Sequence, residues 1–101
     1  MKELSKSEEQ VMISIWKSSE EPTLKTVLAD VNKRFGHEWK HQTVSTFLRR
    51  LTEKGWLIWK KKGLCAYYTP AISKQEYRKQ KLHGLLENLY DGDVESLKED
   101  L

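Results

Sequence analysis

Apolar residues recur along most of this chain at the spacing of one helical face. Val11, Met12, Ile15 and Trp16 form the first such stripe, and Ser5 and Glu8 before it have the spacing of a capping box. Together they predict a helix over Ser5–Lys17, broken by the stretch Ser18-Ser19-Glu20-Glu21-Pro22. Leu24, Val27, Leu28, Val31 and Phe35 predict a second helix, with Thr23 as its N-cap and Gly36 as the residue that ends it. Val44, Phe47, Leu48 and Leu51 predict a third over Gln42–Lys54, closed by Gly55.

The period then changes. Trp56-Leu57-Ile58-Trp59-Lys60 is rich in strand formers, Lys61-Lys62-Gly63 reads as a turn, and Leu64 to Thr69 reads as a returning strand ended by Pro70. Helical spacing resumes after Ser73, which forms a second capping-box pair with Glu76, while Ile72 and Tyr77 have hydrophobic-staple spacing. Leu82, Leu85, Leu86 and Leu89 give this fourth helix its stripe. Asp91-Gly92 is a turn, and Asp93 caps a last segment with Val94, Leu97 and Leu101 on one side.

Three helices, a hairpin and two more helices describe a mainly α fold with a small β-hairpin. This is the plan of a winged helix-turn-helix, here followed by C-terminal dimerisation helices. The expected organisation is a DNA-binding unit over 1–71 and a dimerisation unit over 72–101. On the third helix the face opposite the apolar stripe centres on Gln42, Thr46, Arg49 and Glu53, flanked by Ser45 and Arg50, with Thr43 near its start. Amide, hydroxyl and guanidinium groups of this kind read base edges and hold phosphates in a major groove. Glu53 fits poorly beside phosphate; either Arg49 at i,i+4 spacing neutralises it or it reads a cytosine amino group. The dimer contacts are expected from Leu82, Leu85, Leu86, Leu89, Val94 and Leu97, because that stripe lies beyond a compact winged-helix core. The competing reading is a winged helix used as a protein-interaction module without specific DNA binding, since fold alone does not fix function.

Charge sharpens this picture. The formal net charge is only +3. Residues 38–62, however, carry Lys40, Arg49, Arg50, Lys54, Lys60, Lys61 and Lys62 against Glu38 and Glu53, while residues 91–101 carry five acids against Lys98. The middle attracts polyanions and the end repels them. Lys60, Lys61 and Lys62 are accordingly read as phosphate contacts at a basic hairpin tip. His37-Glu38-Trp39-Lys40-His41 matches H-E-x-x-H, but that zinc chemistry needs both histidines on one continuous helix, and Gly36 has just ended one. The stretch reads as the turn between helices two and three, with Trp39 packed in it. Neither a catalytic constellation, a metal site nor a cofactor is expected. Cys65, the single cysteine, reads as a small buried strand residue in a reducing cytoplasm, and the tryptophans as core and turn anchors. Met1 to Lys6 lacks the apolar core of a secretory signal, and no run is long enough to span a membrane.

Three blocks resemble the penicillinase-repressor (BlaI/MecI/CopY) family of bacterial transcriptional repressors. Leu4-Ser5 through Glu8, Val11, Met12, Ile15 and Trp16 is similar to the family's opening. Trp39 through Gly55 is similar to its recognition helix, and Tyr67-Tyr68-Thr69-Pro70 to the strand before its dimerisation helices. The resemblance implies a homodimer on a pseudo-palindromic double-stranded operator, with Thr43, Thr46 and Arg50 on the DNA, Gln42 beside them, and Lys61 and Lys62 at the wing. It also implies a sensor protease in the inducing pathway of β-lactam-responsive members. Those members continue into a further dimerisation helix, so the 72–101 unit reads as shortened. Copper-sensing members end in a cysteine-rich motif that this chain lacks, which argues against copper sensing.

Overall fold

The computed structural model describes residues 3–101. Met1 and Lys2, part of the opening read above as too polar for a secretory signal, lie outside the described residues. The elements run α1 (Lys6–Trp16), α2 (Leu24–Phe35), α3 (His41–Glu53), β1 (Leu57–Lys62), β2 (Cys65–Pro70), α4 (Lys74–Leu89) and α5 (Val94–Glu99).

Local chemistry explains where the helices begin and end. At α1 the capping box is complete: Ser5 Oγ accepts from the Glu8 N–H at 3.2 Å, and Glu8 Oε1 accepts from the Ser5 N–H at 2.8 Å. At α2 the same reciprocal box forms between Thr23 and Thr26, with a threonine where glutamate or glutamine is usual. Gly36 closes α2 in the left-handed conformation (φ 68°), which glycine adopts without steric cost. At α4, Ser73 Oγ accepts from the Glu76 N–H as expected, but the Glu76 carboxylate bonds to the Ser73 hydroxyl instead of completing the box at the backbone.

The core is the joint product of the three stripes. Val11, Met12 and Ile15 of α1, Val27 and Val31 of α2, and Val44, Leu48 and Leu51 of α3 are buried together with Trp56, Leu57 and Ile72. Each large side chain sealed in this way contributes about 1.5–3 kcal/mol. Among the described residues no helix is long and apolar enough to cross a membrane.

β1 and β2 form one antiparallel hairpin in which Leu57 faces Pro70 and Lys62 faces Cys65. The hairpin corrects three expectations. Its turn is Gly63-Leu64, so Lys60, Lys61 and Lys62 belong to the strand and do not form the tip. Gly63 alone in that turn has positive φ (61°), the requirement at the first position of a two-residue II′ turn. Pro70 ends the second strand as expected, as its last paired residue. Cys65 is exposed, being next to the tip. Trp59 is also no core anchor, since it is 51% exposed, whereas Trp56 is buried.

α4 leaves this body. It has no buried residue, and the chain extends over 51 × 26 × 22 Å with a radius of gyration of 15.6 Å. A compact domain of this length would have about 13 Å. The root of α4 is fixed by Tyr77, whose ring lies 5.3 Å from Trp16 and 5.4 Å edge-on from Trp56. The Tyr77 hydroxyl donates to the Glu9 carboxylate, and burial together with that carboxylate pushes its ionisation far above the ordinary tyrosine range.

Candidate nucleic-acid interface

α2 and α3 are joined by a turn that a single side chain holds in shape. Asn32 Nδ2 donates to the Trp39 carbonyl at 3.0 Å, and Asn32 Oδ1 accepts from the Trp39 N–H at 3.0 Å. Trp39 in turn stacks on His37 (centroids 4.2 Å, planes 6° apart) and tilts against Phe47 at 5.2 Å. His37 Nε2 lies 2.6 Å from Gln10 Oε1. The H-E-x-x-H stretch is thus a packed turn: His37 is committed to Gln10 and the Trp39 ring, and His41 is the first residue of α3, one residue earlier than expected. The two histidines share no helix. Among the described residues no group of three potential ligands could hold a metal ion.

The far end of α3 has a second fastening. Lys54 Nζ donates to Glu8 Oε1 at 2.6 Å and to the Glu3 carbonyl at 3.1 Å, linking the exit of α3 to the first turn of α1. Burial opposes ionisation of Glu8. The Lys54 ammonium and the Ser5 backbone and hydroxyl groups outweigh it, and the carboxyl is held below the ordinary glutamate range. α3 is therefore pinned at both ends by polar contacts and along its inner face by Val44, Leu48 and Leu51.

What remains outward is polar. Gln42, Arg49 and Arg50 are exposed, while Thr43, Ser45 and Thr46 are half-buried on the flanks. Thr46 donates its hydroxyl hydrogen to the Gln42 carbonyl at 3.0 Å, leaving its methyl group and an acceptor lone pair for a partner. Arg49 Nη1 lies 3.9 Å from Glu53 Oε1, a loose exposed pair that a phosphate can displace. Arg50 has no carboxylate partner among the described residues.

β1 follows α3 directly, because Gly55 turns the chain (φ 87°) and the Trp56 N–H donates to the Leu51 carbonyl at 2.9 Å. The lysine-bearing strand is thereby set beside α3. Lys60 and Lys61 are exposed and unpaired among the described residues. Lys62 differs: its Nζ is 2.8 Å from Glu21 Oε2 and lies over the Tyr67 ring, and Glu21 raises its pKa. That bridge, with the Tyr68 N–H donating to the Pro22 carbonyl at 3.0 Å, ties the hairpin to the α1–α2 loop. The expected DNA-contact residues therefore lie on α3 and β1. Lys62 is engaged with Glu21, Arg49 is loosely paired with Glu53, and the Thr46 hydroxyl is bonded within α3.

The roles of Asn32 and of the Glu8–Lys54 pair in holding α3 are absent from the sequence reading. Asn32 carried one signal, an amide that favours turns and caps placed late in a helix beside a predicted turn. The Glu8–Lys54 pair carried none, since the two residues are remote in sequence.

A chain built in this way is similar to known proteins over nearly its whole length. A family model described as penicillinase repressor matches residues 4–100. The penicillinase repressor of Bacillus licheniformis is 35% identical over 95 residues, covering 94% of this chain and 72% of that protein. Among solved structures, the monomeric form of Bacillus licheniformis BlaI in complex with the blaP half-operator matches with a TM-score of 0.62 at 34% identity. The match covers 75% of this chain and 89% of that one.

Proposed function

The chain belongs to the penicillinase repressor family, and from that premise we propose that it is a sequence-specific DNA-binding transcriptional repressor, acting as a homodimer on a pseudo-palindromic operator. The observation that carries this reading is the outward face of α3. Gln42, Arg49 and Arg50 are uncovered on a helix whose two ends and inner face are all fastened. A rigid helix with unspent donors suits a groove about 12 Å wide. Thr43, Ser45 and Thr46 flank the base-reading groups. Lys60 and Lys61 of the adjoining strand supply phosphate contacts, and Lys62 joins them only if it releases Glu21.

In this reading residues 1–71 hold the DNA and residues 72–101 hold the second subunit, through the exposed Leu82, Leu85 and Leu89 with Leu86, Val94 and Leu97. Repression follows from occupying the promoter, with no catalytic step, in the cytoplasm where the operator lies. Relief of repression calls for an inducing partner, for which a sensor protease is the family-based proposal.

Fluorescence anisotropy on duplex DNA over a salt series tests this. With Lys60, Lys61 and Arg49 neutralising phosphates and Arg50 reading a base, the slope of log affinity against log salt is expected to be about −3 per subunit. Affinity indifferent to salt and to DNA would favour a protein-interaction module.

A further inference from the structure

α4 rests on the body at one point. Ahead of it, the Trp16 indole N–H donates to the Ile72 carbonyl at 2.9 Å and the Ala71 N–H donates to the Trp56 carbonyl at 2.9 Å, so the chain reaches Ser73 already fixed. One turn into the helix, the Tyr77 ring is held between Trp16 and Trp56. On either side of that ring the surface is open. A cleft of 660 Å³ lies between α4 and Ile13 and Trp16 of α1, and one of 700 Å³ lies between α4 and Leu4 and Trp56. Tyr77 lines both, which makes it a pivot with room to rock either way. No residue of α4 is buried, so apolar packing beyond Tyr77 does not fix the direction of the helix.

Polar contacts do. The Glu9 carboxylate of α1 is the shared partner of two α4 residues on one helical face, one turn apart. The Tyr77 hydroxyl donates to Glu9 Oε2, and Lys81 Nζ lies 3.5 Å from the same oxygen and over the Tyr77 ring. A single pivot leaves a helix free to tilt, whereas two ties spaced along it fix the tilt. The carboxylate that caps α1 is Glu8, so the Glu9 side chain is free for this second task. Glu9 also lines only the α1 cleft, so its ties restrain α4 from rocking toward the opposite one.

We propose that Glu9, Tyr77 and Lys81 are positioning residues that set the angle at which α4 leaves the DNA-binding body, and through that angle the half-site spacing the repressor accepts. The proposal rests on the function read above, in which α4 carries the second subunit; it adds the residues that place one α3 relative to the other. From Tyr77 to Leu89 the helix is about 18 Å long, so a tilt of about 20° at the pivot moves its far end by about 6 Å. Successive base pairs are about 3.4 Å apart. Arms free to tilt would therefore spread the two α3 helices over about two base pairs of spacing, whereas tied arms select one.

Two variants test this, Tyr77→Phe, which keeps both ring contacts and removes only the hydroxyl, and Glu9→Gln, which removes the charge that holds Lys81. The angle itself is read by spin labels at Lys33→Cys on α2 and Glu87→Cys on α4, both exposed, in a Cys65→Ser chain diluted into excess unlabelled protein. One narrow distance is expected with the latch intact, and a broadened or displaced distribution in either variant. The second readout is binding to a palindromic duplex selected from random DNA, to its single half-site, and to duplexes with one base pair added or removed at the centre. Both variants are expected to bind the half-site within about twofold of the parent, to lose about tenfold on the full site, and to discriminate less among spacings. Unchanged distances and unchanged spacing preference in both variants would overturn the latch. Equal losses on half-site and full site would also overturn it, since they would mean that Glu9 and Tyr77 act through the stability of the body. A parent chain without salt-dependent DNA affinity would remove the repressor reading instead, and the label distances would still decide whether Glu9 fixes the angle of α4.

Discussion

Replacing Lys54 with alanine tests how α3 is held to the rest of the protein. The Glu8 side chain is 3% exposed and that of Lys54 24%, so the pair is buried on one side and wetted on the other. Removing the ammonium leaves a buried carboxylate with only its Ser5 bonds. Breaking a fully buried pair from one side costs about 3–5 kcal/mol, and solvent reaching the Lys54 end lowers that to about 2 kcal/mol here. For a domain of this size, that corresponds to a fall of about 10 °C in Tm near neutral pH.

The sign of the pH dependence follows from Glu8. Its carboxyl is depressed in the folded protein, so the bridge contributes fully above the ordinary value of 4.5 and is lost as pH falls through the lower folded value. In Lys54→Ala, burial is unopposed by the ammonium and pushes the same carboxyl upward, so acid relieves the variant by protonating it. Thermal melts of both proteins between pH 7 and pH 4 are therefore expected to converge as pH falls. A difference below about 0.5 kcal/mol at pH 7, the scale of an exposed pair, would refute the assignment of this bridge as the fastening of α3. So would a gap that does not change with pH.

Asn32→Ala removes both hydrogen bonds to Trp39 and is expected to cost about 1–3 kcal/mol in urea unfolding, because it strands a backbone N–H and carbonyl in a packed turn. Arg50→Ala is expected to lose about 1–3 kcal/mol of discrimination at one base pair, read by anisotropy on a panel of operator variants. Lys61→Ala should weaken all sequences alike and reduce the salt slope by about one. Leu85→Glu places a charge in the centre of the α4 stripe and should give monomers by sedimentation with an unchanged fold by circular dichroism; persistent dimers would place the interface elsewhere.

The parts of this fold that could be read from residues are those decided within a few positions. The stripes of α1, α2 and α3 became the core, with Trp16, Leu24, Leu28, Phe35 and Phe47 only partly buried at its edge, because a helical period needs only its own neighbours to declare a buried face. The Ser5–Glu8 box and the Gly36 stop are local in the same sense. The hairpin was legible as a hairpin but not in its register. Lys61-Lys62-Gly63 looks like a turn by composition, yet a two-residue turn needs positive φ where Gly63 stands, and that draws the lysines back into β1 and exposes Cys65. Thr26 completing the α2 cap was missed because a threonine stands where the usual pattern has a longer acceptor. The candidate site was visible as a list of outward residues on α3 and β1. The clamps that hold it were not. Lys54–Glu8 and Lys62–Glu21 join residues 46 and 41 positions apart, and only the folded chain brings them together.

The central claim is that α3 presents its outward face to duplex DNA with β1 beside it. Backbone and side-chain amide NMR on titrating a double-stranded operator tests it most directly. The account predicts that the largest shifts fall at Gln42, Thr46, Arg49, Arg50, Lys60 and Lys61, while Val27, Val31 and the α4 stripe stay near their free positions. Shifts concentrated on α1 or α4, with α3 unmoved at saturating DNA, would contradict it.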